Sequence, residues 1–352
     1  MPASDPIFGV DSLSEAITTF AAEPDADRIT GLFMAGRQIT CEGDSVSWDE
    51  IEMHRHLAPI SGGDSPSIHQ GQATRRVRSS TLAHIKVSKT IPGGKLFRER
   101  GPGSIRSDAE QVLAYELKDL QKMIGSTVEY LATSALLGTI TVNSTNIPGT
   151  TVAFTVSFSP NTYTRSAAWS TVSTKIASAE IPALMKDHRA ASGMIPRIAI
   201  TEPDVSGYIL ANTEAQTLLK NNLGSAWLQR SAFDDRFGPG LQVGGLDFRT
   251  TDGVYVPEGG AATRYFTADR VITLPAEAEL GGVLGMALGT GVVPAGPAAG
   301  AAGASGLRLA PSAGYYAYSV FNNDPAGVKL VAGWCGLPLL LFPSGVTVAT
   351  VV

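Results

Sequence analysis

The sequence predicts an α+β protein, and three observations lead to this prediction. A helical pattern begins at Ser107 and continues for about thirty residues, with apolar side chains three and four positions apart. After Gly138 the pattern changes to strands in which apolar and polar residues alternate. Residues 68–100 carry eight Lys or Arg and one acid, although the whole chain has a net charge of −5. Helix and strand patterns in separate stretches indicate a mixed fold, with a charged connection ahead of the long helix.

The composition limits the class of protein. Charged residues make up 17% of the 352 residues, against roughly 25% in a typical soluble protein. A large chain with few charges either has a loop-rich surface or buries much of its surface against other copies. The negative net charge argues against a dedicated nucleic-acid-binding protein, because such domains are usually basic.

The cysteines and the apolar runs predict the compartment. Cys41 and Cys335 lie far apart and cannot form a disulfide framework or a four-ligand zinc site, which favours a reducing cytoplasm. The N-terminus lacks the basic start and apolar stretch of a secretory signal. The longest apolar run, 331–342, is interrupted by two glycines and a proline and is too short for a membrane span. We therefore expect a soluble intracellular protein without membrane contact.

The N-terminal part predicts one short helix and several strands. The helix covers 11–22, and the chain from 28 to 57 is expected to be irregular with short strands at 38–41 and 45–48. Residues 83–90 alternate between apolar and polar side chains, which predicts a strand with two different faces. The turn residues of 91–94 follow this strand.

The long helix is the strongest local signal. Ser107 and Glu110 form a capping box, in which each side chain binds a backbone N–H of the first turn. Gly138 is placed to end the helix in a left-handed conformation. Thirty residues at ~1.5 Å each give a rod of roughly 45 Å. The apolar side chains that define its buried face are Leu113, Leu117, Leu120, Ile124, Val128, Leu131 and Ala135.

The remainder predicts alternating strands and helices. Helices are expected at 170–192, ended by Gly193, and at 205–219. The Gly/Ala-rich stretch 280–306 has few side chains that could build a core, so we expect a long loop there. Strands are expected within 139–158, 197–201, 241–250, 254–256 and 270–274, and from 315 to the end.

Motifs for catalysis or nucleotide binding are missing from the sequence. It contains no Gly-x-Ser-x-Gly nucleophile elbow and no His-Glu-x-x-His zinc motif. Residues 93–95, Gly-Gly-Lys, are only a fragment of a phosphate loop. We therefore predict no enzyme, no catalytic or cofactor-binding residue and no metal ligand.

Isolated polar residues have simpler explanations than catalysis. His54 and His56 could bind a metal together with Asp49, Glu50 or Glu52, but a polar stretch of an extended arm is favoured. The acid pairs 234–235 and 277–279 have the chemistry of a hydrolase, yet no pattern places them in a cleft. Cys335 is expected to be a buried small hydrophobe. The segment 187–189, Asp-His-Arg, is expected to be a solvated helix end.

The basic segment (residues 68–100) has three interpretations. It could bind nucleic acid, but it contains one aromatic residue, so stacking on bases is poorly supported. It could be an ordinary solvated surface. The favoured interpretation is pairing with the acidic arm (residues 1–64, net charge −9) of an adjacent copy. The bases expected at this contact are Arg75, Arg76, Arg78, Lys86, Lys89, Lys95, Arg98 and Arg100, and the acids are Asp44, Asp49, Glu50 and Glu52.

The order of several segments resembles that of the tailed-phage major capsid proteins of the lambda type, the E protein family. The resemblance lies in residues 57–63 and 90–93 around the basic segment, and in the helix 108–137 that follows it. Farther on it lies in 192–200 with the helix after it, in Asp324-Pro325 and in the Pro-Leu strand 337–343. It covers most of the chain.

This resemblance implies the Hong Kong 97-type capsid fold. Its expected parts are an N-terminal arm (1–66), an extended E-loop (67–105), a P-domain with the spine helix (106–167), an A-domain (168–275) and return strands (276–352). It implies hexamers and pentamers that close into an icosahedral head around double-stranded DNA. The implied partners are portal, scaffolding and decoration proteins. The implied location is the virion, after assembly in the host cytoplasm, and no covalent cross-link is expected.

Two alternatives remain at this point. An encapsulin-like compartment would use the same fold without a portal or DNA. A hydrolase with an unrecognised site belongs to a different class and would be a stable monomer.

Overall fold

The structure is a computed structural model that describes residues 10–21, 28–51, 75–96, 105–147, 149–220, 228–230, 241–256, 260–266, 269–294, 307–323 and 326–352. Within these ranges a π-helical turn, Ile176–Glu180, directly precedes the fifth α-helix. The α-helices are α1 (Val10–Ala21), α2 (Arg28–Ala35), α3 (Gly93–Leu96), α4 (Ile105–Leu136), α5 (Ile181–Ser192), α6 (Pro203–Ala211), α7 (Thr213–Lys220) and α8 (Leu280–Val283).

The strands of the described residues form two large sheets and three two-stranded ones. The strands that precede α6 are β1 (Arg37–Cys41), β2 (Ser45–Ile51), β3 (Arg75–Thr81), β4 (Ala83–Pro92), β5 (Thr139–Val142), β6 (Phe154–Ser157), β7 (Asn161–Thr164) and β8 (Pro196–Thr201). The later strands are β9 (Leu228–Arg230), β10 (Leu241–Val243), β11 (Leu246–Thr250), β12 (Val254–Tyr255), β13 (Thr263–Arg264), β14 (Arg270–Pro275), β15 (Leu284–Pro294), β16 (Leu307–Ala313), β17 (Tyr315–Asn323), β18 (Ala326–Leu340) and β19 (Thr347–Thr350).

The chain divides into two compact units, each assembled from three stretches of sequence. Unit 1 consists of Met1–Val46, Ser80–Thr133 and Gly285–Leu339. Unit 2 consists of Ser47–Ser79, Ser134–Leu284 and Leu340–Val352. The five-part division expected from the family resemblance stays a prediction.

The sheet of unit 1 is organised around β18. This strand pairs antiparallel with β17 and with β4, and because both registers include residues 327–334, the two neighbours lie on opposite edges of β18. β15 also pairs with β18 and connects β1 and β16 to the sheet. The C-terminal part of β18, from Leu330 onward, is buried and includes Trp334, Leu337 and Leu339.

One side chain of this sheet occupies space that two glycines leave open. The ring of Tyr316 is buried, and a Cβ added at Gly291 or Gly333 would lie 2.2 or 2.4 Å from its atoms. Such distances are shorter than any van der Waals contact, so the ring and a side chain at either position exclude each other. The glycines in these strands are therefore required by packing.

Helix α4 packs against the sheet of unit 1. Ile91 of β4 and Val328 of β18 are opposite one another in the register, and both belong to one hydrophobic cluster with Val112 and Leu113 of the helix. The apolar side chains at helical spacing farther along α4 are also buried, as the sequence predicts. Burial of such a stripe stabilises a long helix far more than intrinsic propensity does.

Helix α1 covers the outer edge of β17. Ser14 is buried, and its hydroxyl donates to the Ala317 carbonyl and accepts the Ala317 N–H, both at 3.1 Å. A residue in an antiparallel strand directs its N–H and C=O to the same side. Ala317 therefore directs both groups away from β18, and the serine satisfies a strand edge that would otherwise be open.

Helix α2 begins on a carboxylate that is remote in sequence. The Glu129 side chain of α4 accepts the backbone N–H groups of Ile29 and Thr30, at 2.8 and 2.9 Å, together with the Thr30 hydroxyl. These N–H groups belong to the first turn of α2, which has no partners inside the helix. A negative charge at this end also interacts favourably with the helix dipole.

Unit 2 contains a seven-stranded mixed sheet. Its order is β7-β19-β14-β8-β11-β10-β9, and the pairs β7–β19 and β8–β11 are parallel. One hydrophobic core combines α5, α6 and this sheet. Its members include Trp169, Ile181, Leu184, Ile209, Phe248, Val271 and Val351.

Sequence predictions for several elements are confirmed. The short N-terminal helix, the long helix, the strand of the basic segment and the strands at 197–201 and 270–274 are all present. Gly138 and Gly193 have φ angles of 101° and 82°, the left-handed conformation expected after a helix.

Other predictions are wrong. Residues 28–35 form a helix because Glu129 caps it, although the sequence suggested irregular chain. Residues 284–294 form a strand of the unit 1 sheet, whereas a loop was expected, because glycines can be buried beneath large side chains of neighbouring strands. The helix expected at 205–219 is two helices, interrupted at Asn212, whose side chain binds backbone carbonyls of Val172 and Thr174.

His188 is also not the solvated helix end that the sequence suggested. It is fully buried, and its Nδ1 lies 3.1 Å from the Thr273 hydroxyl and 3.0 Å from the Thr347 hydroxyl. The prediction failed because Asp187 and Arg189 are charged, while the residue between them points into unit 2. Burial lowers the pKa of His188 to about 4, although nearby Asp187 acts in the opposite direction.

The stability of unit 2 is predicted to fall in mild acid. The pKa of His188 is about 4 in the folded protein and 6.5 ordinarily, so between these values the unfolded chain binds the proton and the folded chain does not. We expect the free energy of unfolding to fall by up to about 3 kcal/mol from pH 6.5 to pH 4 because of this residue. Denaturant unfolding of the unassembled subunit at several pH values measures the change.

The His188→Gln variant is the control for this prediction, because glutamine retains hydrogen-bonding groups but does not titrate. Its unfolding free energy should depend less on pH in the same window. An equally steep pH dependence in both proteins would exclude His188 as the cause.

Candidate assembly surface

Strands β2 and β3 form a two-stranded sheet, and they carry several residues expected at a subunit contact. Within unit 2, Trp48 and Glu50 lie on the buried face of β2, and the Trp48 ring lies 6.2 Å from that of Phe158. The opposite face is exposed, with Val77 of β3 among its apolar residues. One face of this strand pair therefore attaches to unit 2, and the other is open.

Two of the expected bases pair with two of the expected acids inside the same chain. The Arg78 guanidinium donates to the Glu50 carboxylate at 2.5 Å and to the Ser157 carbonyl at 2.9 Å. Arg75 lies 3.8 Å from Asp49 in a more exposed pair. The half-buried Arg78–Glu50 pair fixes β3 to β2 and to β6, whereas exposed pairs contribute little. Arg76 is exposed and has no ion-pair partner among the described residues.

Two expected lysines contact a buried carboxylate of α4. Glu116 is buried, with Lys89 of β4 in direct contact and Lys95 of α3 at 2.5 Å, while Lys89 also lies 3.1 Å from Asp119. Hydrogen bonds to Glu116 and Asp119 raise the pKa of Lys89, and those from Lys89 and Lys95 lower the pKa of Glu116. This charge cluster (Lys89, Lys95, Glu116 and Asp119) attaches β4 and α3 to the long helix.

Lys86 and Asp44 have local partners of a weaker kind. The Lys86 ammonium lies 5.2 Å from the centroid of the Tyr318 ring, a cation–π contact. Asp44 lies 3.3 Å from Nε2 of His84, which in turn is 3.7 Å from the Cys335 sulfur. Cys335 is buried as expected, and burial raises the pKa of its thiol to about 12, so it remains protonated near neutral pH.

Other residues considered for catalysis, metal binding or subunit contacts either are not grouped into a site among the described residues or lie outside them. Glu277 forms an ion pair with Arg249 at 2.9 Å. In the described ranges no three His, Cys, Asp or Glu side chains are grouped so as to hold a metal ion. No helix among the described residues is long and apolar enough to cross a membrane. The candidates that fall outside the description are Glu52, His54, His56, Arg98, Arg100, Asp234 and Asp235.

The carboxylates on α4 were missed by sequence reasoning. Glu116 and Glu129 are buried, and each binds a segment that comes from elsewhere in the chain. A signal was present, since both acids lie next to apolar residues of the buried helical stripe. An acid on such a face requires a partner, because an unpaired buried charge is strongly unfavourable.

The charge cluster is predicted to depend on Glu116. Glu116→Gln removes the only buried member and leaves two lysines facing a neutral side chain, so we expect a loss of about 1–3 kcal/mol in unfolding free energy at pH 7. Asp119→Asn, at a half-exposed position, should cost less than about 1 kcal/mol. Denaturant unfolding of both variants tests this difference.

The pH dependence provides a second check of the same cluster. The pKa of Glu116 is lowered on folding, so its contribution is present above pH 4.5, the ordinary value, and decreases as the pH falls further. Wild type and Glu116→Gln should therefore approach the same stability in acid. Equal losses at pH 7 for the Gln and Asn variants would contradict the central role of Glu116.

Comparison with solved structures places this fold among capsid proteins. The chain is similar to a crystal structure assigned as the capsid protein of a prophage of E. coli CFT073, with 12% identity, a TM-score of 0.62, and coverage of 96% of this chain and 99% of that chain. Bacteriophage PhiM1 mature capsid matches with 9% identity, a TM-score of 0.49, and 91% and 86% coverage. The SrpI encapsulin of Synechococcus elongatus PCC 7942 matches with 9% identity, a TM-score of 0.48, and 92% and 87% coverage.

The first of these likenesses confirms the predicted α+β, Hong Kong 97-type capsid fold. No curated protein matches the sequence. The family model of phage major capsid protein E matches residues 9–349, which is nearly the whole chain. The chain therefore belongs to the phage major capsid protein E family.

Proposed function

We propose that this protein assembles as hexamers and pentamers into the icosahedral head that encloses the double-stranded DNA of a tailed phage. Membership of the capsid family supports this most directly, since the protein is then a shell subunit and part of the virion. The low content of charged residues agrees with a chain that buries much of its surface against other copies. We further propose assembly in the host cytoplasm, with portal, scaffolding and decoration proteins as partners.

The proposed mechanism is assembly without a catalytic step. Each subunit contact can be weak, because simultaneous contacts within a closed shell raise the effective concentration of every further contact. Membership of a family of structural capsid proteins supports a protein that is not an enzyme. Packaged DNA would meet the inner surface through its phosphates, without sequence recognition.

The contact between the basic segment and the acidic arm is kept as a proposal in a narrower form. Arg75, Arg78, Asp49 and Glu50 have partners in their own chain, so their charges are partly compensated before any neighbour arrives. Arg76 is the exposed base of β3 that remains available to an acidic surface. We propose that Arg76 contributes to the subunit contact, while Arg78 mainly orients the strand that carries it.

Electron microscopy tests the shell function. Negative-stain images of the purified protein should contain closed shells or capsomer rings, because a capsid subunit associates with its own copies. A stable monomer at high protein concentration would refute the proposal. Particles that protect DNA from nuclease would support a phage head, whereas empty shells that form without portal or DNA would favour an encapsulin-like compartment.

Substitutions of Arg76 and Arg78 are predicted to affect different properties, namely shell assembly and subunit stability. Arg76→Glu should reduce shell yield, most clearly at low salt, and leave the unfolding free energy within about 0.5 kcal/mol of wild type. Arg78→Glu should destabilise the subunit, because Glu50 would then face a like charge.

The charge-swapped double variant, Arg78→Glu with Glu50→Arg, is the matched control and should recover part of the lost stability. Sedimentation and denaturant unfolding measure assembly and stability separately. Normal shell yield for Arg76→Glu at low salt would show that Arg76 does not contribute to the subunit contact.

A further inference from the structure

Helix α5 exposes two bases on the side that faces away from the core of unit 2. Its buried residues include Ile181 and Leu184, which belong to the hydrophobic core shared with the seven-stranded sheet. Lys186 and Arg189 are exposed. Because they are three positions apart, their side chains lie next to each other along the helix. α5 is therefore amphipathic, with a basic outer side.

A third base precedes the same helical segment. Lys175 is exposed and comes directly before the π-helical turn that leads into α5. At ~1.5 Å per residue, roughly 20 Å of helix separates Lys175 from Arg189. Within the part of the chain that the structure describes, no ion pair involves any of these bases. Lys175, Lys186 and Arg189 together form the α5 basic surface.

The acids of the surrounding helical layer (residues 175–217) are directed toward the protein. Glu180 is buried, and Asp187 and Glu214 are partly buried. Their carboxylates accept hydrogen bonds within unit 2, from Ser166 to Glu180, from Asn161 to Asp187 at 2.7 Å, and from the Ala177 N–H to Glu214 at 2.9 Å. The other two acids of the layer, Glu202 and Asp204, pair with Arg264. The exposed charges of this layer that lack a partner among the described residues are all positive.

The amino-acid sequence around this surface is locally basic. Residues 165–197 contain five Lys or Arg and two acids, in a chain whose net charge is −5. An ordinary solvated surface carries charges of both signs, interspersed. Attraction to the helix dipole explains a base in the last turn of α5 but not Lys175. A surface with one sign of exposed charge attracts a partner of the opposite sign.

The side chains beside the bases indicate which kind of anionic partner fits. In 175–190 the other exposed residues are small, namely Ser178, Ala179, Pro182, Ala183 and Ala190. A protein interface usually has an apolar, aromatic-rich centre in which lysine is depleted. Binding of single-stranded nucleic acid requires aromatic side chains for stacking, and this surface has none. Lysine, arginine and serine are the residues that contact the phosphates of a duplex.

We propose that Lys175, Lys186 and Arg189 bind phosphates of the packaged double-stranded DNA. The inference rests on the proposed function and deepens it, because it assigns the non-specific DNA contact of the shell to one surface of unit 2. Each base neutralises a phosphate and releases a bound counterion, so the contact depends on salt concentration and not on base sequence. Repetition of this weak contact over many subunits holds the DNA.

The salt dependence of DNA binding tests the α5 basic surface. Fluorescence anisotropy of a short DNA duplex measures binding to unassembled subunits at several salt concentrations. Lys186→Ala combined with Arg189→Ala should reduce the magnitude of the slope of log K against log salt by about two, equally for duplexes of different sequence. Lys122→Ala is the matched control, because Lys122 is an exposed lysine on α4 without an ion pair among the described residues. Denaturant unfolding should show unchanged stability for both variants, since the residues are exposed.

Each contrary result of the binding experiment has a defined meaning. An unchanged slope in the double variant, or no DNA binding by wild type at low salt, would overturn the proposal. An equal loss in Lys122→Ala would show that overall charge and not this surface is responsible. An unchanged slope with reduced shell yield would instead assign the bases to a contact with another subunit.

Lysine acetylation tests the contact in assembled particles. DNA-filled and DNA-free shells are treated with acetic anhydride, and mass spectrometry measures the modified fraction of each lysine. Lys175 and Lys186 should be protected only in filled shells, whereas Lys122 should react equally in both. Equal modification of Lys186 in the two kinds of shell would overturn the proposal. If wild type forms no shells, the proposed function fails, and the salt dependence of the subunit still tests the basic surface separately.

Discussion

Strand β18 imposes the constraint on which unit 1 depends, because three other strands hydrogen-bond to it. β17 and β4 use its two edges over the same residues, and β15 pairs with it as well. The register of β18 therefore determines to which side the backbone N–H and C=O groups of β17 and β4 point. At β17 the groups that point away from β18 include those of Ala317, which bind the Ser14 hydroxyl. β4 lies along the opposite edge of β18. A one-residue slip of β18 would redirect all of these groups and exchange the buried face with the exposed one.

The charges of this chain serve mainly to attach segments that are distant in sequence. Glu129 caps α2 across about 100 positions, Glu116 binds two lysines of the basic segment, and Glu50 binds Arg78. In each case a wholly or largely buried carboxylate has its partners in the same chain. The basic segment therefore contributes first to the fold of the subunit. Among the described residues, Arg76 is an exposed base of this segment without an ion-pair partner.

The sequence was sufficient for elements whose cause is local. The apolar stripe and Gly138 predict α4, and alternation predicts β4, because these signals are local. The predicted cap is wrong, since α4 begins at Ile105 and Ser107 lies inside the helix. The start of α2 and the strand β15 could not be predicted, since Glu129 and Tyr316 act on them from other parts of the chain. Prediction from sequence has the same limit at the candidate assembly surface. Residue types indicated which segments are charged, but the pairing of Arg78 with Glu50 depends on the meeting of two strands.

The packing of Tyr316 has a consequence for how this sequence can vary. The ring fills the space above Gly291 and Gly333, so the three positions share one volume. A larger residue at either glycine is compatible only with a smaller residue at 316, and a smaller residue at 316 leaves a cavity unless a glycine is enlarged. Substitutions at these three positions, which lie on three different strands, should therefore occur together as homologous sequences diverge.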